Sequence, residues 1–359
     1  MISLEKRIDA LAQLGSWLSG YGTWKTQNTG TGNDQWSAFD SFVRKQQLYN
    51  QWLIEPFVEK AIGYWAERLT LQSLQTFANR YPELGTTHPP IDVAVIPQQF
   101  IPLAGLHDAI CIWVAGHRFI SRNSNHEHDL LKFLSEQLIA IEPGFEELVI
   151  WSEVFPKSTN AYLLHSKPEE NPTMFQYFSS RKSLIRSKRI SVAVLFPDYT
   201  PHEINALSGD IMDFFGHSNH NVRKIYVPSN FSVEQFYPFI EHYEWTRQIN
   251  RYANNFDYHH SVFLLDRITF FENGFLILRE SSEMQAPIGC LHYEYYSSLS
   301  DLTQKLHSCK TQIQDIICKR DIVDGTTLPG TAHSFPLWNF DDHQDVMKFL
   351  SQGLLENYH

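Results

Sequence analysis

Apolar residues recur at mostly three- and four-residue steps through Ile2, Leu4, Ile8, Leu11, Leu14 and Leu18, which predicts a helix with one buried face. Gly20, Gly22, Gly30 and Gly32 then read as an open loop running through Asp34. Helical spacing resumes from Trp36 to Leu71, with Trp52, Phe57, Ile62 and Trp65 as core anchors, and a turn over 82–90 leads into a strand at Val93–Ile96. Beyond it, strands and helices alternate. His107–Ala115 and Asp129–Ile141 have helical spacing, whereas His117–Ser121 and Glu147–Val154 read as extended. Ile190–Phe196 is a continuous β-branched run, the pattern of a strand covered on both faces. Further strands are expected at Lys224–Val227, Ser261–Leu265, Phe275–Leu278 and Gly289–Tyr293, and helices at Val233–Tyr243, Leu302–Cys318 and Asp345–Leu355. Such alternation predicts an α/β chain with a parallel sheet between helices.

Composition narrows the function classes. A net charge of -11 gives no footing for a polyanion, so no nucleic-acid partner is expected. The basic stretch Arg181–Arg189 reads as a solvated segment ahead of a buried strand. No apolar run approaches the roughly 18 residues of a membrane span, and the amino-terminal stretch carries charges at Glu5, Lys6, Arg7 and Asp9, unlike a signal peptide. Cys111, Cys290, Cys309 and Cys318 form no CxxC pair, which suits a reducing compartment. A cytoplasmic protein is expected.

The stretch Asp213–Pro228, DFFGHSNHNVRKIYVP, carries the most chemical information. It resembles the nucleophile loop of the acyl-CoA reductases related to the bacterial luminescence fatty acid reductase, a family itself similar to the aldehyde dehydrogenases. Separated stretches support the likeness: Asn50-Gln51-Trp52-Leu53, Ile101–Asp108, Gly116-His117-Arg118, Tyr252–Tyr258, Glu272–Leu278, Ala286-Pro287-Ile288 and Tyr293–Tyr296. Their order and spacing cover nearly the whole chain. The resemblance implies an aldehyde dehydrogenase-like fold, with a helical amino-terminal region, a Rossmann-type lobe and a second α/β lobe. It also implies the family reaction, NADPH-dependent reduction of a fatty acyl thioester to an aldehyde through a cysteine thioester. The expected division is 1–212 for the helical region and nucleotide-binding lobe, 213–325 for the catalytic-type lobe, and 326–359 for a tail with a helix.

Three departures from the family pattern fall on chemistry. Where the family has its acyl-carrying cysteine this chain has Asn219, and a carboxamide offers no thiolate for acyl transfer. Where the family has an asparagine that donates to the developing oxyanion stands Phe100, after Gln99. Losing one such donor costs on the order of 3 kcal/mol in barrier height. The family's small-residue cofactor motif falls on Lys167, Pro168, Glu169, Glu170, Asn171 and Pro172, whose carboxylates and prolines disfavour a phosphate. Arg122 falls where the family often carries a lysine that reaches the cofactor ribose.

Other chemistry reads weakly. Cys111 and Cys290 lie in apolar stretches, and such buried thiols are inert. His217 with His220, His126 with His128 and His259 with His260 lack a third convergent ligand, so no metal site is expected. Gly30-Thr31-Gly32 follows no strand and has Gln35 where a dinucleotide fingerprint needs glycine. Glu272, Glu280 and Glu283 read as structural or surface carboxylates. The resulting expectation is an acyl-CoA reductase relative impaired at its nucleophile, with NADPH bound weakly or not at all. It would act as an oligomeric, acyl-binding partner of an active homologous subunit or an acyltransferase. The alternative is an active acyl-CoA reductase that transfers hydride directly to the thioester, with Asn219 donating to the oxyanion.

Overall fold

The computed structural model describes residues 2–27, 34–85, 89–122, 129–165, 171–320 and 325–351. The chain forms two compact units, Met1–Ser187 with Pro336–His359, and Lys188–Phe335. The boundary expected after residue 212 therefore falls elsewhere. The strand and helix over Ile190–Met212 belong to the second unit, because the strand pairs on both sides with strands of that unit. The segment from Pro336 returns to the first.

In the first unit, α1 (Leu4–Thr26) starts at Ser3, whose hydroxyl accepts the Lys6 amide, and buries Leu11, Leu14 and Leu18 along the spacing read from the sequence. It runs through Gly20 and Gly22 rather than breaking there. It packs with α3 (Glu55–Arg68) and α4 (Leu71–Ala78), while α2 (Asp34–Tyr49) supplies Phe39, whose ring lies 4.9 Å from that of Trp17. The helical stretch expected over Trp36–Leu71 is thus two helices, α2 and α3, separated at Asn50–Ile54.

Five parallel strands form the sheet of this unit, in the order β3 (Val149–Ser152), β2 (Arg118–Arg122), β1 (Asp92–Ile96), β4 (Ala161–His165), β5 (Ser183–Arg186). The connections carry α5 (Leu106–Ala115), α6 (Leu130–Ile141) and α7 (Pro172–Ser179). Helix α5 is buried almost throughout, and α12 (Val346–Ser351) lies on it. Its Asp108 accepts two hydrogen bonds from Arg186, at 2.9 and 2.5 Å, in a pair almost wholly removed from water.

The second unit holds seven strands in the order β12 (Thr326–Thr327), β11 (Ile313–Ile317), β6 (Ile190–Val194), β7 (Val222–Pro228), β10 (Cys290–Tyr296), β9 (Ile277–Glu280), β8 (Phe271–Glu272). All neighbours are parallel except β8 and β9. Between them run α8 (Pro201–Met212), the single turn α9 (Tyr237–Ile240), α10 (Asn250–Leu265) and α11 (Leu299–Ser308). Thr200 and Glu203 form a capping box that starts α8, with Pro201 at its first position. Two sequence expectations fail here. Ser261–Leu265 ends helix α10 and is not a strand. The stretch Leu302–Cys318 is a helix only to Ser308, after which Ile313–Ile317 enters the sheet beside β6.

Because β6, β7, β10 and β11 run parallel, their first residues share one edge of the sheet. The turn 213–221 delivers the chain to β7 at this edge, where Ser191 pairs in register with Val222.

Candidate functional site

Three consecutive residues of that turn have left-handed backbone: Phe214 (φ 53°), Phe215 (φ 54°) and Gly216 (φ 75°). For the two phenylalanines this conformation costs on the order of 1–3 kcal/mol each, so the surroundings must hold it. Arg223, buried on β7, does part of this by donating to Gly216 O at 3.0 Å and to Ala286 O. A Cβ at Gly216 would collide with that guanidinium. Burial pulls the Arg223 pKa down to about 10, which still leaves it a cation at neutral pH.

Asn221 holds the turn from within. Its Nδ2 donates to Asp210 O at 3.0 Å and Asp213 O at 2.9 Å and lies 3.3 Å from His333 Nε2, while its Oδ1 accepts the Ser218 amide at 2.9 Å. Tyr243 donates to Asp213 Oδ1 at 2.6 Å. His220 Nδ1 stands 2.6 Å from Asp315 Oδ2 on β11, and its ring stacks on Phe335 at 3.8 Å. The Ser191 hydroxyl lies between them, 3.1 Å from Asn219 O and 3.3 Å from Asp315 Oδ2, with its one hydrogen to share between the two acceptors. Asp210, at the end of α8, accepts the amides of Gly330 (2.6 Å) and Ala332 (3.1 Å), so the segment that carries His333 and Phe335 is fastened to the turn. Burial, reinforced by Asp213 and Asp315, pushes the Asp210 carboxyl up to about 7 against the pull of those two amides. His217, partly buried near Lys188 and Arg223, is held down at about 3 and is neutral at physiological pH.

Asn219 is 5% exposed, and its Oδ1 is buried with no hydrogen-bond partner. Such an acceptor costs on the order of 1–3 kcal/mol, and native proteins carry few of them.

Two other sequence candidates, Phe100 and Arg122, belong to the first unit. Phe100 follows β1 in the first unit and is half exposed, and its neighbour Gln99 accepts the Asn50 side-chain amide at 2.5 Å through its carbonyl. Arg122 is the exposed last residue of β2. Lys167, Glu169 and Glu170 lie outside the described residues, as do Gly30, Gly32, His126 and His128. Just after them, Pro172 has no amide hydrogen to give at the first turn of α7, and the Asn171 side chain already occupies the Met174 amide. This turn makes a poor phosphate cradle. All four cysteines are buried. Cys290 starts β10 beside β7, and burial lifts its thiol to about 12 despite the nearby Arg223. Among the described residues, the one carboxylate trio close enough for a metal is Asp40, Glu55 and Glu59, and Lys25 already bridges it at 2.5–2.8 Å.

Sequence reasoning found the turn but missed Asp315, Asp210 and the 330–335 segment that brace it. Asp315 lies 95 residues from His220 along the chain, and nothing in its local pattern marks it.

No protein-family model matches the sequence, and no curated protein does. Solved structures do resemble it. Aldehyde dehydrogenase 21 from Physcomitrella patens, solved with the reaction product succinate, aligns over 98% of this chain and 88% of its own (12% identity, TM-score 0.56). An NADP-dependent enzyme of E. coli aligns over 88% and 73% (10% identity, TM-score 0.58), and HpcC from Thermus thermophilus over 88% and 70% (11% identity, TM-score 0.56). At such identities the likeness establishes architecture alone: the chain has an α/β fold of the aldehyde dehydrogenase type.

Proposed function

We propose that this chain is an acyl-CoA reductase-like protein that binds acyl thioesters without forming an acyl-enzyme. In this reading it serves as a partner of an active homologous subunit or of an acyltransferase. The observation that carries the reading is the side chain at position 219. It is a carboxamide in the turn that resembles the family's nucleophile loop, and all four thiols of the chain are buried. Covalent acyl transfer needs a thiolate or an equally activated nucleophile. Cys290, at the same sheet edge, is held protonated by burial at neutral pH.

The fold supports descent from oxidoreductases acting on aldehydes. The first turn of α7, short of free amides, supports weak binding of NADPH or none. The turn itself is kept by Arg223, Asn221 and the His220–Asp315 pair, which is consistent with a binding surface that outlasted the covalent step.

The test is turnover by the purified protein supplied with NADPH and medium- or long-chain acyl-CoA. The expected result is no NADPH oxidation above a no-enzyme control, together with a rise in melting temperature on adding acyl-CoA. Oxidation coupled to aldehyde release would overturn the reading in favour of direct hydride transfer to the thioester.

A further inference from the structure

Strands β6, β7, β10 and β11 run parallel, so their carboxyl ends share the edge of the second unit's sheet opposite the 213–221 turn. The chain leaves β6 towards β7 and leaves β11 towards β12, in opposite directions, and ligands of open parallel sheets bind where such paths diverge. A cleft of about 430 Å³ lies at this edge, lined by residues that follow each of the four strands. Phe196, Pro228 and Tyr296 give it buried, flat, apolar walls, and Leu299, at the start of α11, lines it while 57% exposed. Polar groups of these walls are already engaged: the Tyr296 hydroxyl donates to Leu195 O at 2.8 Å, and Ser229 Oγ donates to Tyr296 O at 3.0 Å.

Among the described residues that line the cleft, Arg320 carries the one charge. Its guanidinium lies 4.8 Å from the centroid of the Phe196 ring, and its Nη2 is 2.5 Å from Asp198 Oδ2 in a half-exposed pair. Such an exposed pair holds weakly. Lys319 Nζ also lies 3.4 Å from Asp198 Oδ1, so Arg320 can leave without stranding that carboxylate. We propose that this cleft binds an aromatic monocarboxylate, its ring against Phe196, Pro228 and Tyr296 and its carboxylate on Arg320 in place of Asp198. A planar guanidinium seated on an aromatic face presents paired donors to a carboxylate. Charge sets the class further. Asp301, in the first turn of α11, accepts from the Ser297 amide at 2.8 Å and from Ser297 Oγ at 3.1 Å, which puts a carboxylate beside a lining residue. A dianion such as phosphate meets that charge with a single arginine to offset it, whereas a monocarboxylate is matched. The site lies at the other edge of the sheet from the turn and rests on no part of the acyl thioester reading.

The experiment is calorimetric titration of the full chain with 2-naphthoate, with its neutral carboxamide 2-naphthamide, and with inorganic phosphate. Wild type should bind the carboxylate about tenfold more tightly than the amide, as expected for a charge-assisted hydrogen bond at a half-exposed arginine, and phosphate more weakly than the carboxylate. Arg320→Gln should lower the naphthoate affinity to that of naphthamide and leave naphthamide unchanged. Leu299→Asp, which keeps Arg320 and alters an exposed side chain, should weaken naphthoate by a similar factor. No binding of naphthoate at millimolar concentration, equal affinity of wild type for acid and amide, phosphate binding as tight as naphthoate, or an unchanged naphthoate affinity in Arg320→Gln would each overturn the assignment.

Discussion

Replacing Asp210 with asparagine should change how stability depends on pH, in a direction fixed by the structure. The carboxyl is 2% exposed, and its pKa is raised from 3.8 to about 7, first by burial and then by Asp213 and Asp315. Between those two values the folded protein holds a proton that the unfolded chain has released. The stability this contributes is complete below about pH 3.8 and is lost as pH rises through about 7. At about 1.4 kcal/mol per tenfold, the whole swing is on the order of 4 kcal/mol. His217 and His292, held at about 3 and about 4 by burial, act in the opposite sense: their contribution is present above about pH 6.5 and lost as pH falls towards those values. The wild-type profile therefore sums opposing slopes, and the informative quantity is the difference between variant and wild type. Asparagine cannot accept from both the Gly330 and Ala332 amides, which adds a constant penalty of about 1–3 kcal/mol but no slope. Urea unfolding from pH 5 to pH 8 measures the difference, with Trp245, the one tryptophan of the second unit, as reporter. The stability of Asp210→Asn relative to wild type should rise by about 3 kcal/mol across that range. A flat difference, or one of opposite sign, would mean that Asp210 is ionised throughout and that its two amides outweigh its burial.

Other outcomes follow from the same contacts. Arg186→Met strands the Asp108 carboxylate inside the first unit and should cost about 3–5 kcal/mol in urea unfolding. Gly216→Ala forces a Cβ onto a left-handed residue and against the Arg223 guanidinium, so it should lose at least ~1–2 kcal/mol. His220→Phe keeps an aromatic ring on Phe335 but leaves Asp315 without its imidazole, and a melting temperature equal to wild type would show that the pair does not brace the turn. Iodoacetamide should label no cysteine in the native protein and all four after unfolding, as read by intact mass.

Where the sequence was legible, one physical signal dominated. The β-branched run at Ile190–Phe196 marked a strand because a strand buried on both faces needs apolar residues at consecutive positions, and β6 lies between β7 and β11. Leu11, Leu14 and Leu18 marked α1 for the corresponding reason in a helix. Short apolar runs were ambiguous: SVFLL at 261–265 fits a strand by composition but completes the sixteen residues of α10. The five-residue β4 and four-residue β5 carry too little pattern to stand out, and their places follow from pairing with β1 and with each other. Gly20 and Gly22 suggested a break, yet α1 continues because its other face is buried against α3 and α4. At the candidate site, the turn could be read from contiguous residues. Its braces at Asp210, Asp315 and Phe335 arrive from distant stretches and become visible only once the parallel strands are assembled.

The absence of a covalent acyl intermediate is tested most directly by intact-mass analysis of the protein after incubation with acyl-CoA, beside Asn219→Cys under the same conditions. Wild type should keep its unmodified mass, and the cysteine variant should gain one acyl group that hydroxylamine removes. A hydroxylamine-labile acyl adduct on the wild-type chain would contradict the account.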